Sequence, residues 1–165
     1  MKKYKPTSAG RRGMTVVKYR DVLTTDKPHK KLTAGRKRKV GRNNQGRITT
    51  PHKGGGHKRV YRLVDFKYNK IDVPATFKTI EYDPNRNAFI SLVSYADGEK
   101  RYVITPKGVA VGDKFIVSSK AEPKTGNRLP LIKIPVGTFV HNVEIKVGGG
   151  AKMARSAGSF LQVVA

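Results

Sequence analysis

The sequence predicts an all-β fold of small closed barrels behind a long basic N-terminal extension. From residue 60 onward, short segments rich in Val, Ile, Phe, Tyr and Thr alternate with turn residues at close spacing. No window longer than ten residues has helical periodicity. Gly-rich corners between short antiparallel strands favour closed barrels, because closure leaves no strand edge exposed.

The extension covers residues 1–59. It holds 19 of the 35 Lys and Arg but only 2 of the 11 Asp and Glu, so its net charge is 19 − 2 = +17 of the total +24. Its apolar residues are too few to offset the entropy lost on ordering, so this part alone is predicted to be disordered. The main domain boundary is therefore placed at Arg59/Val60, with a self-folding body behind it.

Residues 41–59 form a glycine-rich segment that we call the strap. It contains five Gly, five Arg or Lys, two Asn and two His. Glycine admits positive φ and close backbone approach, while the cations suit phosphate. The block Arg36-Lys37-Arg38-Lys39 precedes it, and such a run of like charges is typical of an interaction tail. The strap is therefore expected to lie along a polyanion.

The body begins with Val60-Tyr61-Arg62-Leu63-Val64-Asp65-Phe66. The predicted strands cover residues 60–66, 76–82, 88–96, 100–104, 114–118, 138–145 and 159–164. Asp83-Pro84-Asn85-Arg86 has type I turn chemistry. Asp97-Gly98 between two apolar strands predicts a hairpin with a type I′ turn.

A second boundary is predicted in the polar stretch 121–127. It divides the body into residues 60–124 and residues 125–165. The apolar segment 129–137 contains two prolines and is expected to be an edge or a packed loop. The sequence ends within the last strand candidate, so the second barrel is expected to be incomplete.

The charge excess predicts a nucleic-acid partner, whose phosphates attract such a surface. The sequence contains neither a basic amphipathic helix nor a long apolar span, so membrane binding is not predicted. The sequence has no Cys, and its four His lack the converging ligands of a metal site. The spacing of Gly41 and Gly46 resembles a phosphate-binding P-loop, but Arg47-Ile48 stands where Lys and Ser or Thr are needed. No catalytic constellation, cofactor or small-molecule substrate is predicted.

The aromatic residues of the body alternate with Lys and Arg. Phe77, Phe89 and Tyr95 are expected to be mostly core. Phe66 and Tyr68 lie beside Lys67 and Lys70 and are the better candidates for stacking on RNA. Two alternatives to a structural RNA-binding protein remain open at this point: a free RNA chaperone that acts on single strands, and an enzyme.

Several motifs together resemble the universal second protein of the large ribosomal subunit, bacterial type. They run in order along the chain: Gly41-Arg42-Asn43-Asn44-Gln45-Gly46-Arg47-Ile48-Thr49, Gly54-Gly55-Gly56-His57-Lys58-Arg59, Glu81-Tyr82-Asp83-Pro84-Asn85-Arg86, Tyr95-Ala96-Asp97-Gly98-Glu99-Lys100-Arg101-Tyr102 and Ala154-Arg155-Ser156-Ala157-Gly158.

The resemblance implies an oligonucleotide-binding (OB)-type barrel followed by an SH3-like barrel, incomplete here. It implies primary binding to large-subunit rRNA beside neighbouring ribosomal proteins, on the ribosome of the cytoplasm or of an organelle. It further implies roles in subunit association, in tRNA binding and in supporting the peptidyl-transferase region. The family continues past residue 165, so the resemblance does not assign the roles tied to that later part to this chain.

The matching positions Phe66, Lys70, Arg86 and Arg155 are expected to contact RNA, and Tyr68 stands where the family usually has Arg. The basic extension and strap add the remaining expected RNA-binding residues: Arg11, Arg12, Arg36, Lys37, Arg38, Lys39, Arg42, Asn43, Asn44, Arg47, His52, Lys53, Gly54, Gly55, Gly56, His57, Lys58 and Arg59.

Overall fold

A computed structural model describes residues 1–35 and 39–164. The all-β prediction is confirmed, since the regular structure in these residues is almost entirely strand. The strands are β1 Lys2–Lys3, β2 Thr15–Val16, β3 Thr33–Gly35, β4 Val60–Arg62, β5 Ala75–Glu81, β6 Ile90–Tyr95, β7 Lys100–Ile104, β8 Lys114–Phe115, β9 Phe139–Val140, β10 Val143–Glu144, β11 Ala151–Met153 and β12 Leu161–Gln162. A four-residue helix covers Ala9–Arg12, and short 3₁₀ turns cover Tyr19–Asp21, Lys30–Leu32 and Leu131–Lys133.

The central element is an antiparallel four-stranded sheet in the order β7-β6-β5-β8. The register of β5 against β6 shifts between Phe77 and Thr79, and such a bulge bends a strand and increases its twist. The sheet therefore curls into a half-barrel. Val64 adds a parallel bridge to Tyr102 at its edge. This is the OB-type part of the chain.

Both faces of the sheet are buried. Because successive strand residues point to opposite faces, β6 sends Ile90 and Leu92 to one side and Val93 and Tyr95 to the other. The larger core contains Tyr68, Ala75, Phe77, Val93, Tyr95, Val103, Phe115 and Val117. The smaller contains Ile90, Leu92 and Tyr102. Phe77 and Tyr95 are core residues as predicted, whereas Phe89 is half-buried.

The basic extension supplies the cover for the second face. Leu32 packs against the smaller core, and the backbone N–H of His29 donates to the Tyr102 hydroxyl at 2.7 Å. That hydroxyl in turn donates to the buried Glu81 carboxylate at 2.6 Å. An apolar run such as β6 cannot leave one face in water, so part of the extension is recruited to the fold.

Two further contacts attach the extension to the body. Thr24 exchanges backbone and side-chain hydrogen bonds with Ile80 at the end of β5. Strand β3 pairs with β4, which places Gly35 opposite Val60. Residues in this part of the extension are thus held by the body. The predicted division at residue 59 is one of charge and composition, and the β3–β4 ladder crosses it.

The two predicted turns form. In the turn at residues 83–86, the Asp83 backbone carbonyl accepts the Arg86 backbone N–H at 3.3 Å. The Asp97-Gly98 hairpin also forms, but its type I′ prediction is wrong, since only Gly98 of the pair has positive φ. The Tyr95 carbonyl accepts the Gly98 N–H, and the Tyr95 N–H donates to the Glu99 carbonyl. This pattern is that of a three-residue loop that ends in a bulge.

Beyond residue 124 the strands are short and paired two by two, β9 with β12 and β10 with β11. The predicted strand 138–145 is divided because Asn142 adopts φ 54°, which turns the chain between β9 and β10. The described residues of this part make no closed ladder, which fits the expected incomplete SH3-like barrel.

Candidate nucleic-acid interface

Two of the predicted RNA-binding residues, Arg86 and Arg155, line one groove and both lie near the ring of a third, Phe66. The guanidinium carbons of Arg155 and Arg86 lie 3.8 and 5.6 Å from the centre of the Phe66 ring. The groove has a volume of about 590 Å³. It is lined by Tyr61, Asn85, Arg86, Asn87, Lys152, Ala154, Arg155, Ser156 and Ser159. Residues from both parts of the body therefore build a single cationic site.

The first wall is held by the Asp83 turn. The Asp83 side chain is fully buried, and its Oδ2 accepts from Arg86 Nε at 2.5 Å. Its Oδ1 accepts the backbone N–H of Asn85 at 2.9 Å. The Asn85 amide also donates to the Val60 carbonyl at 3.0 Å, which joins the turn to β4. Asp, Pro and Asn at these turn positions are what the local sequence predicts, and the result is an Arg86 with a fixed direction.

The second wall is brought against the first by a glycine. Gly150 has φ 78°, and a Cβ there would lie 3.2 Å from the Phe66 carbonyl oxygen. The next residue, Ala151, donates its backbone N–H to that same oxygen at 2.7 Å. Strand β11 thus starts against the backbone of Phe66, and the chain returns along the groove as far as Arg155.

The groove is chemically suited to phosphate. Two guanidinium groups and the Lys152 ammonium face a space that no carboxylate lines among the described residues. Arginine offers planar, multiple donors to phosphate oxygens, and a guanidinium over an aromatic ring is held by cation–π attraction. The Asn and Ser side chains add neutral donors. The arrangement can hold a phosphate backbone.

Tyr68 is a correction to the sequence-based site. It is 9% exposed and belongs to the larger core. The guanidinium of Arg128 lies 4.6 Å from the centre of its ring, and its hydroxyl accepts from Asn142 Nδ2 at 3.2 Å. Burial also raises the pKa of this phenol. A ring enclosed in this way has no free face for a nucleobase, so Tyr68 joins the two parts of the body instead.

Lys70 belongs to the segment before β5, and its side chain lies against the tip of the β6–β7 hairpin. Its ammonium pairs with Asp97 and, at 2.5 Å, with Glu99. These bonds raise the pKa of Lys70 and lower the pKa of Asp97. The pKa of Glu99 is lowered by Arg101 first and by Lys70 second. Two carboxylates therefore already offset the charge of Lys70, and its contact with RNA stays a prediction.

The strap is exposed over residues 42–59. Its first half folds on itself, because the Asn43 side-chain oxygen accepts the N–H groups of Gln45 and Arg47, both at 3.0 Å. The Gly41 carbonyl accepts from Thr49 and Thr50 at 2.9 and 3.1 Å. Gly41 has φ 74°, and a Cβ there would stand 2.2 Å from the Thr50 oxygen. The result is a compact loop that presents its cations outward.

The remaining predicted residues are distributed along the extension. Arg11 and Arg12 end the short helix at Ala9–Arg12, where Arg11 lies 5.3 Å from the centre of the Tyr4 ring. Lys39, His52, Lys53, Gly54, Gly55, Gly56, His57, Lys58 and Arg59 are exposed. Arg36, Lys37 and Arg38 lie outside the described residues. None of the extension residues that the structure describes lines the groove.

Sequence reasoning missed several groove residues. Lys152, Asn87, Ser156 and Ser159 line the groove, yet none was predicted. Lys152 comes from β11, and the hydrogen bond from Ala151 to the distant Phe66 carbonyl brings that strand to the groove. The motif Asp83-Pro84-Asn85-Arg86 contained the signal for Asn85, because a turn that fixes Arg86 also fixes its neighbour.

Two other kinds of site receive no support from the described part of the chain. Its residues contain no group of three or more His, Asp or Glu able to hold a metal ion. None of its helices has the length and apolar character needed to cross a membrane.

Comparison with protein families gives two matches. Residues 29–118 match the family model described as Ribosomal Proteins L2, RNA binding N-terminal domain. Residues 124–165 match the model described as Ribosomal Proteins L2, C-terminal domain. The first match begins at the extension segment that covers the sheet, and it includes the strap.

Proposed function

Because the chain belongs to the family of ribosomal L2 proteins, we propose that it is a primary rRNA-binding protein that stabilises folded large-subunit rRNA. The family is one of structural, RNA-binding ribosomal proteins, and the chemistry of translation is not its own. The proposed place of action is the ribosome of the cytoplasm or of an organelle, where rRNA and neighbouring ribosomal proteins are the partners.

The observation that carries the proposal is the convergence of Phe66, Arg86 and Arg155. Residues far apart in the sequence meet around a groove that cations and neutral donors line. Among the described residues no carboxylate lines it, and the Asp83 carboxylate that pairs with Arg86 is fully buried. A surface fixed by a buried Asp83 and by the Phe66 backbone is preorganised, so little side-chain entropy remains to be lost on binding.

The proposed mechanism has two parts. The groove holds one rRNA backbone segment in a fixed orientation, and the strap neutralises phosphates of packed RNA over a longer path. Residues 1–59, 60–124 and 125–165 then act respectively as basic arm with strap, first barrel and start of the second barrel. By stabilising rRNA in this way the chain would support subunit association, tRNA binding and the peptidyl-transferase region, where RNA performs the chemistry.

Sedimentation tests the proposal. The tagged chain, expressed in cells, is expected to migrate with large subunits and whole ribosomes in a sucrose gradient. The double variant Arg86→Ala/Arg155→Ala should shift toward the top. Lys107→Ala/Lys120→Ala is the matched control, because it removes the same charge from exposed residues that do not line the groove. A wild-type chain found only in small free complexes would instead support an RNA chaperone acting off the ribosome.

A further inference from the structure

A second, smaller cavity lies between the extension and the sheet. It has a volume of about 220 Å³ and is lined by Tyr19, Leu23, Asp26, Arg62 and Tyr82. None of these residues belongs to the groove at Phe66. We call this cavity the tyrosine pocket. Its lining combines aromatic rings, a cation and a carboxylate, and its volume suits one small planar group.

Arg62 forms the cationic part of the pocket. It is only 9% exposed, and its Nη1 donates to the Val60 carbonyl at 2.8 Å. Its Nε is buried and has no hydrogen-bond partner, and the Nη2 group has none among the described residues. A buried guanidinium costs free energy when its donors are unpaired. Arg62 is thus a nearly enclosed cation with donor capacity left over, on the wall of a cavity.

Asp26 is the acidic part. The extension has two acids, Asp21 and Asp26. Asp21 lies 3.9 Å from Lys18, whereas Asp26 makes no ion pair or hydrogen bond with its side chain among the described residues. An exposed carboxylate left without a cation in a segment so rich in cations is free to accept hydrogen bonds from a ligand.

The aromatic part is Tyr19 with Tyr82. Their ring centres lie 5.4 Å apart at 72°, and each ring is 45% exposed. Tyr19 is also supported by Phe89, with ring centres 6.0 Å apart. The hydrogen bonds between Thr24 and Ile80 fix the segment of the extension that carries this wall. The rings are held in place and still offer surface for stacking.

From these contacts we propose that the tyrosine pocket binds one unpaired guanine base of RNA. Single-stranded RNA is read by bases that stack on aromatic side chains and hydrogen-bond through their edges. Guanine presents acceptors, O6 and N7, that suit an arginine. Its N1–H and N2–H₂ donors are adjacent and suit the two oxygens of one carboxylate. Uracil and cytosine have neither the O6/N7 acceptor pair nor the two adjacent donors, and adenine has one amino group in place of O6 and no N1–H. The proposal rests on the RNA-binding function above and specifies one element of its target.

The test is a residue-specific titration of the full chain by NMR. Four RNA pentamers are used, UUGUU, UUAUU, UUCUU and UUUUU, at one raised salt concentration. The phosphate contribution is then the same for all four and cancels in the comparison. The Leu23 amide shift reports binding at the pocket. We expect UUGUU to bind there about tenfold more tightly than the others, which is the discrimination typical of one well-paired base.

The Asp26→Asn variant should abolish most of this preference, since the amide offers one acceptor in place of two. Asp21→Asn is the matched control, with the same charge change on the same segment outside the pocket, and it should keep the preference. Equal affinities of all four pentamers for the wild-type pocket would overturn the proposal, as would an unchanged preference in Asp26→Asn. An acidic peptide that shifts Leu23 more strongly than any pentamer would assign the pocket to a protein partner. General RNA binding retained in any of these cases would leave the rRNA-binding function standing, whereas its loss with all four pentamers would remove both.

Discussion

Arg155 places its guanidinium carbon 3.8 Å from the centre of the Phe66 ring, although the two residues belong to different parts of the body. The contact exists because Ala151 bonds the Phe66 carbonyl and starts β11 there. One side of the groove is therefore only as well placed as the junction between the two parts.

Replacing Arg155 by Ala should weaken binding of large-subunit rRNA fragments about tenfold, because a charge-assisted phosphate contact of about 1.5 kcal/mol is lost. The slope of log K against log salt should fall by up to about 0.9. Filter binding at several salt concentrations measures both quantities. Arg155→Lys should recover the salt slope but not the full affinity, since an ammonium does not stack on Phe66 as a planar guanidinium does. An Arg155→Ala slope equal to that of the Lys107→Ala control would show that Arg155 does not contact phosphate.

The variant Tyr68→Phe should lower the free energy of unfolding by about 1–3 kcal/mol. The Asn142 amide would lose its acceptor, while Asn142 Oδ1 already has no partner. Urea denaturation followed by circular dichroism gives the value. Tyr82→Phe is the control, because that hydroxyl belongs to a 45% exposed ring. If the two variants unfold at the same urea concentration, the Tyr68–Asn142 bond does not stabilise the junction.

Replacing Lys70 by Met should raise the pKa of the Asp97 carboxyl toward its ordinary value, because the Lys70 hydrogen bond is the main cause of its lowering. The folded pKa lies below the unfolded one. The associated stability is therefore fully present above the unfolded pKa, and it is lost as pH falls through the folded pKa. Carboxyl-carbon NMR titration measures the shift. The pKa of Glu99 should move less, since Arg101 and not Lys70 is the main cause of its lowering. Equal movement of both carboxyls would contradict the assigned order.

Glycines 41 and 46 form a matched pair within the strap. Both have positive φ, 74° and 80°, so replacing either by Ala should cost about 1–2 kcal/mol of local stability. Only Gly41→Ala adds a steric conflict, since its Cβ would meet the Thr50 oxygen at 2.2 Å. Amide hydrogen exchange of Thr49 and Thr50 should therefore accelerate more in Gly41→Ala than in Gly46→Ala. Equal acceleration would mean that the loop relaxes around the added methyl group.

How much could be predicted from the sequence differs between features. The Asp83 turn was predictable, since its chemistry is confined to four residues. The hairpin at Asp97-Gly98 was predictable as a hairpin only. Its turn type depends on the pairing of Tyr95 with Glu99, and this register lies outside the dipeptide.

Burial was harder to predict where its cause is distant in the chain. Tyr68 beside Lys67 and Lys70 has the local pattern of an exposed stacking residue, and Arg128 and Asn142 enclose it from far along the sequence. The extension gave a related difficulty. Its low apolar content argues against an independent core, but its Leu32, together with Val64 of the body, packs on a face that β6 and β7 have already built. Charge separates this segment from the body, and packing joins them.

The ladder that sets Gly35 opposite Val60 constrains how the protein can meet its RNA. A free tail must be threaded end-first through folded RNA, whereas a segment anchored at both ends can only enter a cleft as a doubled-back finger, tip first. Such a finger can enter and leave folded RNA without threading a chain terminus through it. Docking can then follow the folding of the RNA, and a failed insertion is reversible. A protease cut at the exposed residues Gly54-Gly55-Gly56 would divide the finger into two tails and remove this property while leaving the anchoring strands in place.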